Sequence, residues 1–80
     1  MAKIICPRCG QDYVVKAVVI PLKKNILICP ECDACWWPDE PVSLATFTDF
    51  TVLMEGQGII GDWNMLELFG ILNSDDPSAY

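Results

Sequence analysis

The chain has 80 residues and a formal net charge of −6, with eleven acidic residues, five basic residues and no histidine. This length makes one domain, and a domain so small buries only roughly 60% of the surface of its unfolded chain, so folding is marginal without a further source of stability. The sequence has no apolar run long enough to cross a membrane, and its negative charge disfavours binding to a phosphate backbone.

The first predicted element is a cysteine-containing turn that occurs twice. Cys6 and Cys9 form the first pair and Cys29 and Cys32 the second, with nineteen residues between the pairs and a proline after the first cysteine of each. Proline fixes φ and removes an amide, while neighbouring amides can point at the sulfur atoms. The spacing predicts four thiolates around one structural Zn²⁺ ion.

Two alternatives to zinc remain open. Iron in a rubredoxin-like site uses the same ligands, and two disulfides need an oxidising compartment. Residues 1–5 contain neither a long apolar stretch nor a small-residue cleavage site, so we expect a cytoplasmic protein whose thiols stay reduced. Cys35 extends the second pair, but its neighbours Ala34, Trp36 and Trp37 favour a small buried apolar side chain over a further ligand.

Between the cysteine pairs the sequence predicts an antiparallel hairpin. Residues 13–20 are rich in β-branched side chains, residues 21–25 have turn chemistry, and residues 26–28 lead to the second pair. A third short strand is predicted at residues 35–37 and ends at a proline. Its two tryptophans point to opposite faces, so one is expected to enter the core while the other is more exposed.

From residue 38 the sequence becomes acidic and is predicted to be helical. The first predicted helix covers residues 49–55, with Thr48 as its N-cap and Gly56 closing it in the left-handed conformation. The second covers residues 62–69, with Asp62 as its capping residue. The apolar side chains of both helices are expected to cover one face of the sheet.

We therefore expect a small α+β metal-stabilised domain. Its zinc-ribbon antiparallel hairpin, extended to a three-stranded sheet, is followed by two short helices. Within this single domain, residues 1–37 form the β part and residues 38–72 an acidic helical part packed on it. Residues 73–80, which contain serine, proline and two aspartates, are predicted to be a flexible tail.

Charge is distributed unevenly along the chain. All five basic residues lie in the first 24 positions, whereas residues 25–80 hold ten acidic residues and no basic residue. Metal loading adds four negative charges from the thiolates and two positive charges from Zn²⁺, so the formal charge of −6 becomes −8. Such a surface matches a basic partner. The candidate partner-binding residues are Asp39, Glu40, Asp49, Glu55, Asp62 and Glu67.

Three segments together carry a family resemblance: CPRCG, ICPECDACWW and the downstream TDFTVLMEGQGIIGDWNMLEL. They resemble small bacterial zinc-ribbon proteins with a two-knuckle hairpin and a short helical segment. Among these, the chain is similar to immunity proteins of contact-dependent growth inhibition and related polymorphic toxin systems. The knuckle match covers residues 1–37. The resemblance implies a cytoplasmic protein that binds and blocks a toxin's C-terminal domain, often a nuclease.

Other functional classes remain as alternatives. A nucleic-acid- or polymerase-associated zinc ribbon needs a basic face, for which the sequence offers only Lys16, Lys23 and Lys24. A rubredoxin-like electron carrier needs iron. An enzyme is not expected, because the chain has no histidine and four paired cysteines fill the coordination shell without leaving a position for a catalytic water. The resemblance implies a basic toxin domain as the partner, and neither a membrane nor nucleic acid is an expected partner.

Overall fold

The computed structural model describes residues 3–72, which form a five-stranded antiparallel sheet and one α-helix. The strands are β1 (Val15–Val19), β2 (Lys24–Ile28), β3 (Ala34–Trp36), β4 (Thr48–Asp49) and β5 (Leu66–Ile71); the helix is α1 (Phe50–Gly56), and one turn of 3-10 helix spans Trp63–Met65. The order across the sheet is β4-β3-β2-β1-β5. None of the helices formed by residues 3–72 has the length and apolar character needed to cross a membrane.

The predicted hairpin is confirmed as β1 and β2. The two strands pair from Val15 opposite Ile28 to Val19 opposite Lys24, and the turn between them holds Lys23 in the left-handed region at φ 53°. The predicted third strand is present as β3, one residue earlier than predicted, and it pairs with β2. The predicted count of three strands is wrong, because β4 and β5 extend the sheet at its two edges.

The sheet has an apolar core on each face, because side chains alternate along every strand. We call one the helix-side core; its buried residues are Ala17, Val19, Ile26, Ile28, Cys35, Phe50 and Met54. The other is the metal-side core, with Cys6, Val14, Leu27, Cys29, Ala34, Trp36 and Leu72. Trp36 is 1% exposed in the metal-side core, whereas Trp37 is only partly buried and packs against the helix-side core. The predicted division of the two tryptophans between the faces is confirmed.

The first predicted helix is present as α1, with different boundaries. Its N-cap is Asp49, whose carboxylate accepts a hydrogen bond from Thr51 N–H at 2.9 Å. Thr48 is not the cap, because the helix begins at Phe50 and Asp49 is the residue immediately before it. The helix includes Gly56, and the left-handed conformation predicted there occurs at Gly58, with φ 79°.

The prediction of a second helix over residues 62–69 is wrong. Asp62 caps a single 3-10 turn by accepting a hydrogen bond from Asn64 N–H at 2.9 Å, and the chain then continues as β5. A short apolar segment can form either a helix or a strand. Here the segment forms a strand because the edge of β1 is available for pairing. β5 aligns with β1 over five residue pairs, and the hydrogen bonds of this ladder satisfy the backbone groups of β1 that face it. The predicted tail, residues 73–80, lies outside the described residues.

Gly61 allows the loop after α1 to pack closely on the first turn of the helix. A Cβ atom at Gly61 would lie 2.8 Å from the backbone Cα of Thr51, closer than two carbon atoms can approach. We therefore expect Gly61→Ala to destabilise the domain by about 1 to 3 kcal/mol, because the loop must move away from the helix. Urea denaturation followed by circular dichroism measures this change.

Gly56→Ala is the matched control for Gly61→Ala. A Cβ at Gly56 meets nothing within 4 Å, and Gly56 has no positive φ. The same substitution should therefore stabilise the domain there by about 0.4 to 1 kcal/mol, since alanine loses less backbone entropy on folding. If the two substitutions change the free energy of unfolding equally, Gly61 is not closely packed against the helix.

Candidate metal centre

The two cysteine turns have the same backbone geometry. Gly10 N–H donates to Cys6 O at 2.9 Å in the first turn, and Asp33 N–H donates to Cys29 O at 3.0 Å in the second. Gly10 and Asp33 both have φ 64°, a left-handed conformation that glycine adopts freely and aspartate more readily than most residues. Asp33 is also held from the side, because its carboxylate accepts a hydrogen bond from the indole Nε1–H of Trp63 at 3.2 Å.

The N–H group of the first cysteine in each turn is fixed by a backbone hydrogen bond. Cys6 N–H donates to Asp12 O at 2.9 Å, and Cys29 N–H donates to Ala34 O at 2.8 Å. These two cysteines are 1% and 0% exposed, whereas Cys9 and Cys32 are only partly buried. Each turn thus presents one thiol from the core and one from nearer the surface.

The structure brings the four predicted ligands together. Their Sγ atoms all lie within 4.8 Å of one another, and the Cys6–Cys32 and Cys9–Cys29 separations are both 3.6 Å. Zinc–sulfur bonds of about 2.3 Å in a tetrahedron require sulfur atoms about 3.8 Å apart. A disulfide requires a separation of about 2.05 Å, so the cluster has the spacing of a metal site and not of two disulfides.

Without a bound cation, the surroundings of Cys9, Cys29 and Cys32 shift their thiol pKa values in different directions. Gln11 N–H lies 3.5 Å from Cys9 Sγ and lowers the pKa of the Cys9 thiol to about 7. Burial raises the pKa of Cys29 to about 12 and also raises the pKa of Cys32. A divalent cation stabilises all four thiolates and offsets this desolvation cost. Metal binding at this site is therefore coupled to proton release.

Arg8 connects the two turns and was not singled out from the sequence. Its guanidinium donates from Nη1 to Cys32 O at 3.2 Å and lies 4.9 Å from the ring centroid of Phe47. Phe47 in turn packs against the metal-side core. The cation therefore ties the first turn to the second and to the segment before β4. No feature of the sequence around Arg8 indicates these contacts.

Cys35 lies outside the four-thiolate cluster. It is fully buried in the helix-side core, and its thiol donates to Thr48 O at 3.1 Å. Burial is the main cause that raises the pKa of Cys35 to about 12, and the charges of Asp49, Asp33 and Glu40 add to it. The side chain is thus a neutral thiol at physiological pH, as expected for a small buried apolar residue.

The structure does not bring the six candidate carboxylates onto one surface. Three of them support the backbone locally: Glu40 accepts from Trp37 N–H at 3.0 Å, Asp49 caps α1, and Asp62 caps the 3-10 turn. The other three, Asp39, Glu55 and Glu67, are exposed.

The exposed carboxylates Glu55 and Glu67 lie on different faces. Glu55 belongs to α1, which covers the helix-side core, whereas Glu67 pairs with Val18 and so points to the metal side of the sheet. One partner surface cannot contact both side chains without extending around an edge of the sheet.

Four of the five basic side chains lie over aromatic rings. The cation-to-centroid distances are 5.2 Å for Lys3 over Tyr13, 4.9 Å for Arg8 over Phe47, 5.9 Å for Lys16 over Phe69 and 5.7 Å for Lys24 over Trp37. In the sheet, Lys16 is opposite Leu27 of the metal-side core, whereas Lys24 is opposite Val19 of the helix-side core. The lysines considered for nucleic acid contact therefore divide between the two faces.

None of the protein-family models, curated proteins or solved structures compared with this chain matches it.

Proposed function

We propose that the protein is a zinc-stabilised binding protein that neutralises a basic toxin domain, as an immunity protein does, by covering its active site. The observation that carries this proposal is that residues 25–80 contain ten acidic residues and no basic residue. A nuclease groove is cationic because its substrate is a polyanion, so an acidic surface is attracted to it and competes with the substrate. The cytoplasm is the fitting compartment, since thiols stay reduced there.

Zinc is the metal that we propose for the four-cysteine site. Four thiolates complete its usual structural coordination, and a complete shell leaves no position for a catalytic water. The ion then acts as a scaffold and takes no part in partner chemistry. Iron in the same site would make the protein an electron carrier, which visible absorption and a red colour of the purified protein would reveal.

The outer face of α1, formed by Thr51, Val52 and Glu55, is the surface that we propose for the toxin. All three side chains are exposed, and Val52 is 61% exposed. The carboxylate of Glu55 can contribute to the polar rim of an interface, and the adjacent apolar side chain of Val52 can become its buried anchor. By contrast, Glu40, Asp49 and Asp62 are engaged by backbone N–H groups and contribute mainly to the long-range field.

Reversing the charge of Glu55 tests this surface. We expect Glu55→Lys to raise the Kd for the toxin domain by up to about tenfold at low salt and by less at high salt, chiefly through slower association. Surface plasmon resonance at two ionic strengths measures both rates. The matched control is Glu31→Lys, which changes the net charge equally at an exposed position in the second cysteine turn. Equal effects of the two variants, or no dependence on salt, would contradict the proposed surface.

The function itself is tested with the basic C-terminal domain of a large secreted protein encoded immediately upstream. We expect the chain to co-purify with that domain as a stoichiometric complex and to protect cells that express it. Absence of both association and protection would overturn the proposal. A gel shift with nucleic acid that disappears on substitution of Lys16, Lys23 and Lys24 would favour the nucleic-acid alternative instead.

A further inference from the structure

β5 forms one edge of the described sheet and is poorly protected against pairing. Its only strand neighbour within residues 3–72 is β1. Edge strands present backbone donors and acceptors to solvent and are commonly blunted by charge or proline. Here the strand has the sequence LELFGI, with one charged residue and no proline. Met65, Leu68, Phe69 and Ile71, which are 38% to 49% exposed, lie within seven consecutive positions.

The hydrogen bonds to β1 show which backbone groups of β5 face outward. Ile20 N–H donates to Met65 O at 2.8 Å, so the backbone carbonyl of Met65 points toward the side of the strand on which β1 lies. The direction of the backbone groups alternates along an antiparallel strand, and Leu66 and Leu68 therefore direct their N–H and C=O groups away from β1. The β1–β5 ladder is regular from Leu66 to Leu68. The register shift comes after Leu68, because Ala17 pairs with Leu68 but Lys16 pairs with Gly70. Leu68 thus offers one donor and one acceptor near the middle of the outer edge.

We propose that two copies of the chain associate by antiparallel pairing of their β5 strands, with Leu68 opposite Leu68 across a two-fold axis. Each Leu68 N–H then donates to Leu68 C=O of the other copy, and the two sheets become continuous. The Leu68 side chains meet on the helix side, because Leu68 pairs with Ala17 of the helix-side core. An isologous contact of this kind closes on itself and gives a dimer, not a filament.

Charge complementarity favours this register. It places Glu67 of each copy opposite Phe69 of the other, on the metal side of the sheet. Lys16 lies over that position: its Nζ atom is 5.9 Å from the centroid of the Phe69 ring, and its Cε atom would be 3.6 Å from a Cβ atom at Gly70. Each Glu67 carboxylate therefore approaches the Lys16 ammonium of the second copy.

The neighbouring register is disfavoured by the same residues. A shift that places Glu67 opposite Glu67 would bring two carboxylates together, and like charges directly opposite destabilise a strand pair. The contact is short, so the interface is small and the net charge of each chain opposes it. We therefore expect a weak dimer, with a Kd of roughly 10 µM to 1 mM.

Sedimentation equilibrium of the metal-loaded full chain, from about 10 µM to about 1 mM, tests the proposal directly. The expected result is a reversible monomer–dimer equilibrium. Leu68→Lys places two ammonium groups opposite each other and should weaken the dimer at least about tenfold. Val52→Lys is the matched control, because Val52 is also an exposed apolar residue but lies on α1, and it should leave the dimer unchanged. Circular dichroism of each variant checks that it is folded.

A charge swap identifies the register. Glu67→Lys and Lys16→Glu should each weaken dimerisation several-fold, and the double variant should restore it, because opposite charges again face each other across the axis. A full chain that stays monomeric throughout the range would overturn the proposal. If a form lacking residues 73–80 then dimerised, that segment would be the occupant of the edge. A dimer that is unaffected by Leu68→Lys and by the charge variants would also overturn the proposal. Neither a monomeric chain nor such a dimer would bear on toxin binding at α1.

Discussion

Cys29→Ser is expected to unfold the domain. Binding of a structural zinc ion to four thiolates contributes on the order of 10 kcal/mol to folding, comparable with the whole stability of a small domain. Cys29 is fully buried, so its replacement both weakens the metal site and places a hydroxyl in the metal-side core. We expect loss of bound metal, loss of near-ultraviolet circular dichroism and no cooperative thermal transition.

Cys35→Ser is the matched control for the ligand substitution. Cys35 is equally buried, and the thiol donates to Thr48 O, a hydrogen bond that a serine hydroxyl can also donate. The variant should therefore keep its metal and lose only about 1 kcal/mol of stability. If Cys29→Ser and Cys35→Ser have similar melting temperatures, the metal does not hold the fold together.

Trp36→Ala is expected to have the second-largest effect on stability. Trp36 is 1% exposed in the metal-side core, and its indole Nε1–H donates to Ser43 O at 3.1 Å. Removing the ring leaves a cavity and deletes one hydrogen bond to the Ser43 carbonyl, at a cost of about 3 to 5 kcal/mol. In a domain of marginal stability this loss should leave much of the protein unfolded at 37 °C. Chemical denaturation of the metal-loaded protein measures the change.

The adjacent tryptophan provides the control for Trp36. Trp37 is only partly buried, packs at the margin of the helix-side core and lies 5.7 Å from Lys24 Nζ. Trp37→Ala should therefore destabilise the domain clearly less than Trp36→Ala. The reverse order would mean that the two side chains have been assigned to the wrong faces.

The clustering of the four cysteines and the hairpin could be predicted from the sequence because their determinants are local. Ligand spacing and two turn-forming prolines define the cysteine turns, and β-branched runs define the strands that carry them. The division of Trp36 and Trp37 between the faces follows from simple alternation. These features depend on neighbouring residues, and the structure agrees with them.

The C-terminal half could not be predicted as well, because its conformation depends on distant residues. Residues 66–71 have apolar side chains that fit a helix as well as a strand, and only the available edge of β1 selects the strand. Thr48 and Asp49 are both good caps, and the role falls to Asp49 because the helix begins at Phe50, directly after it. The pairing of β5 with β1 places the side chain of Glu67 on the metal side of the sheet, away from the carboxylate of Glu55.

The contacts of Arg8 and of the aromatic residues are beyond sequence reasoning for a similar reason. The chain places Arg8 and Phe47 far apart in sequence, and the guanidinium reaches the ring only after the second cysteine turn and β4 are in place. Charge counting correctly indicates an acidic chain but does not indicate which carboxylates share a face. That information comes from the strand register for Glu67 and from the packing of α1 for Glu55.

The most direct test of the account is the metal content of the folded protein. Elemental analysis of protein purified without added metal, together with native mass spectrometry, should give one zinc ion per chain and five cysteines without a disulfide. Chelation under denaturing conditions followed by refolding without metal should give an unfolded chain, and zinc should restore the circular dichroism spectrum. A folded protein with substoichiometric metal, or with two disulfides among the four clustered cysteines, would contradict the account.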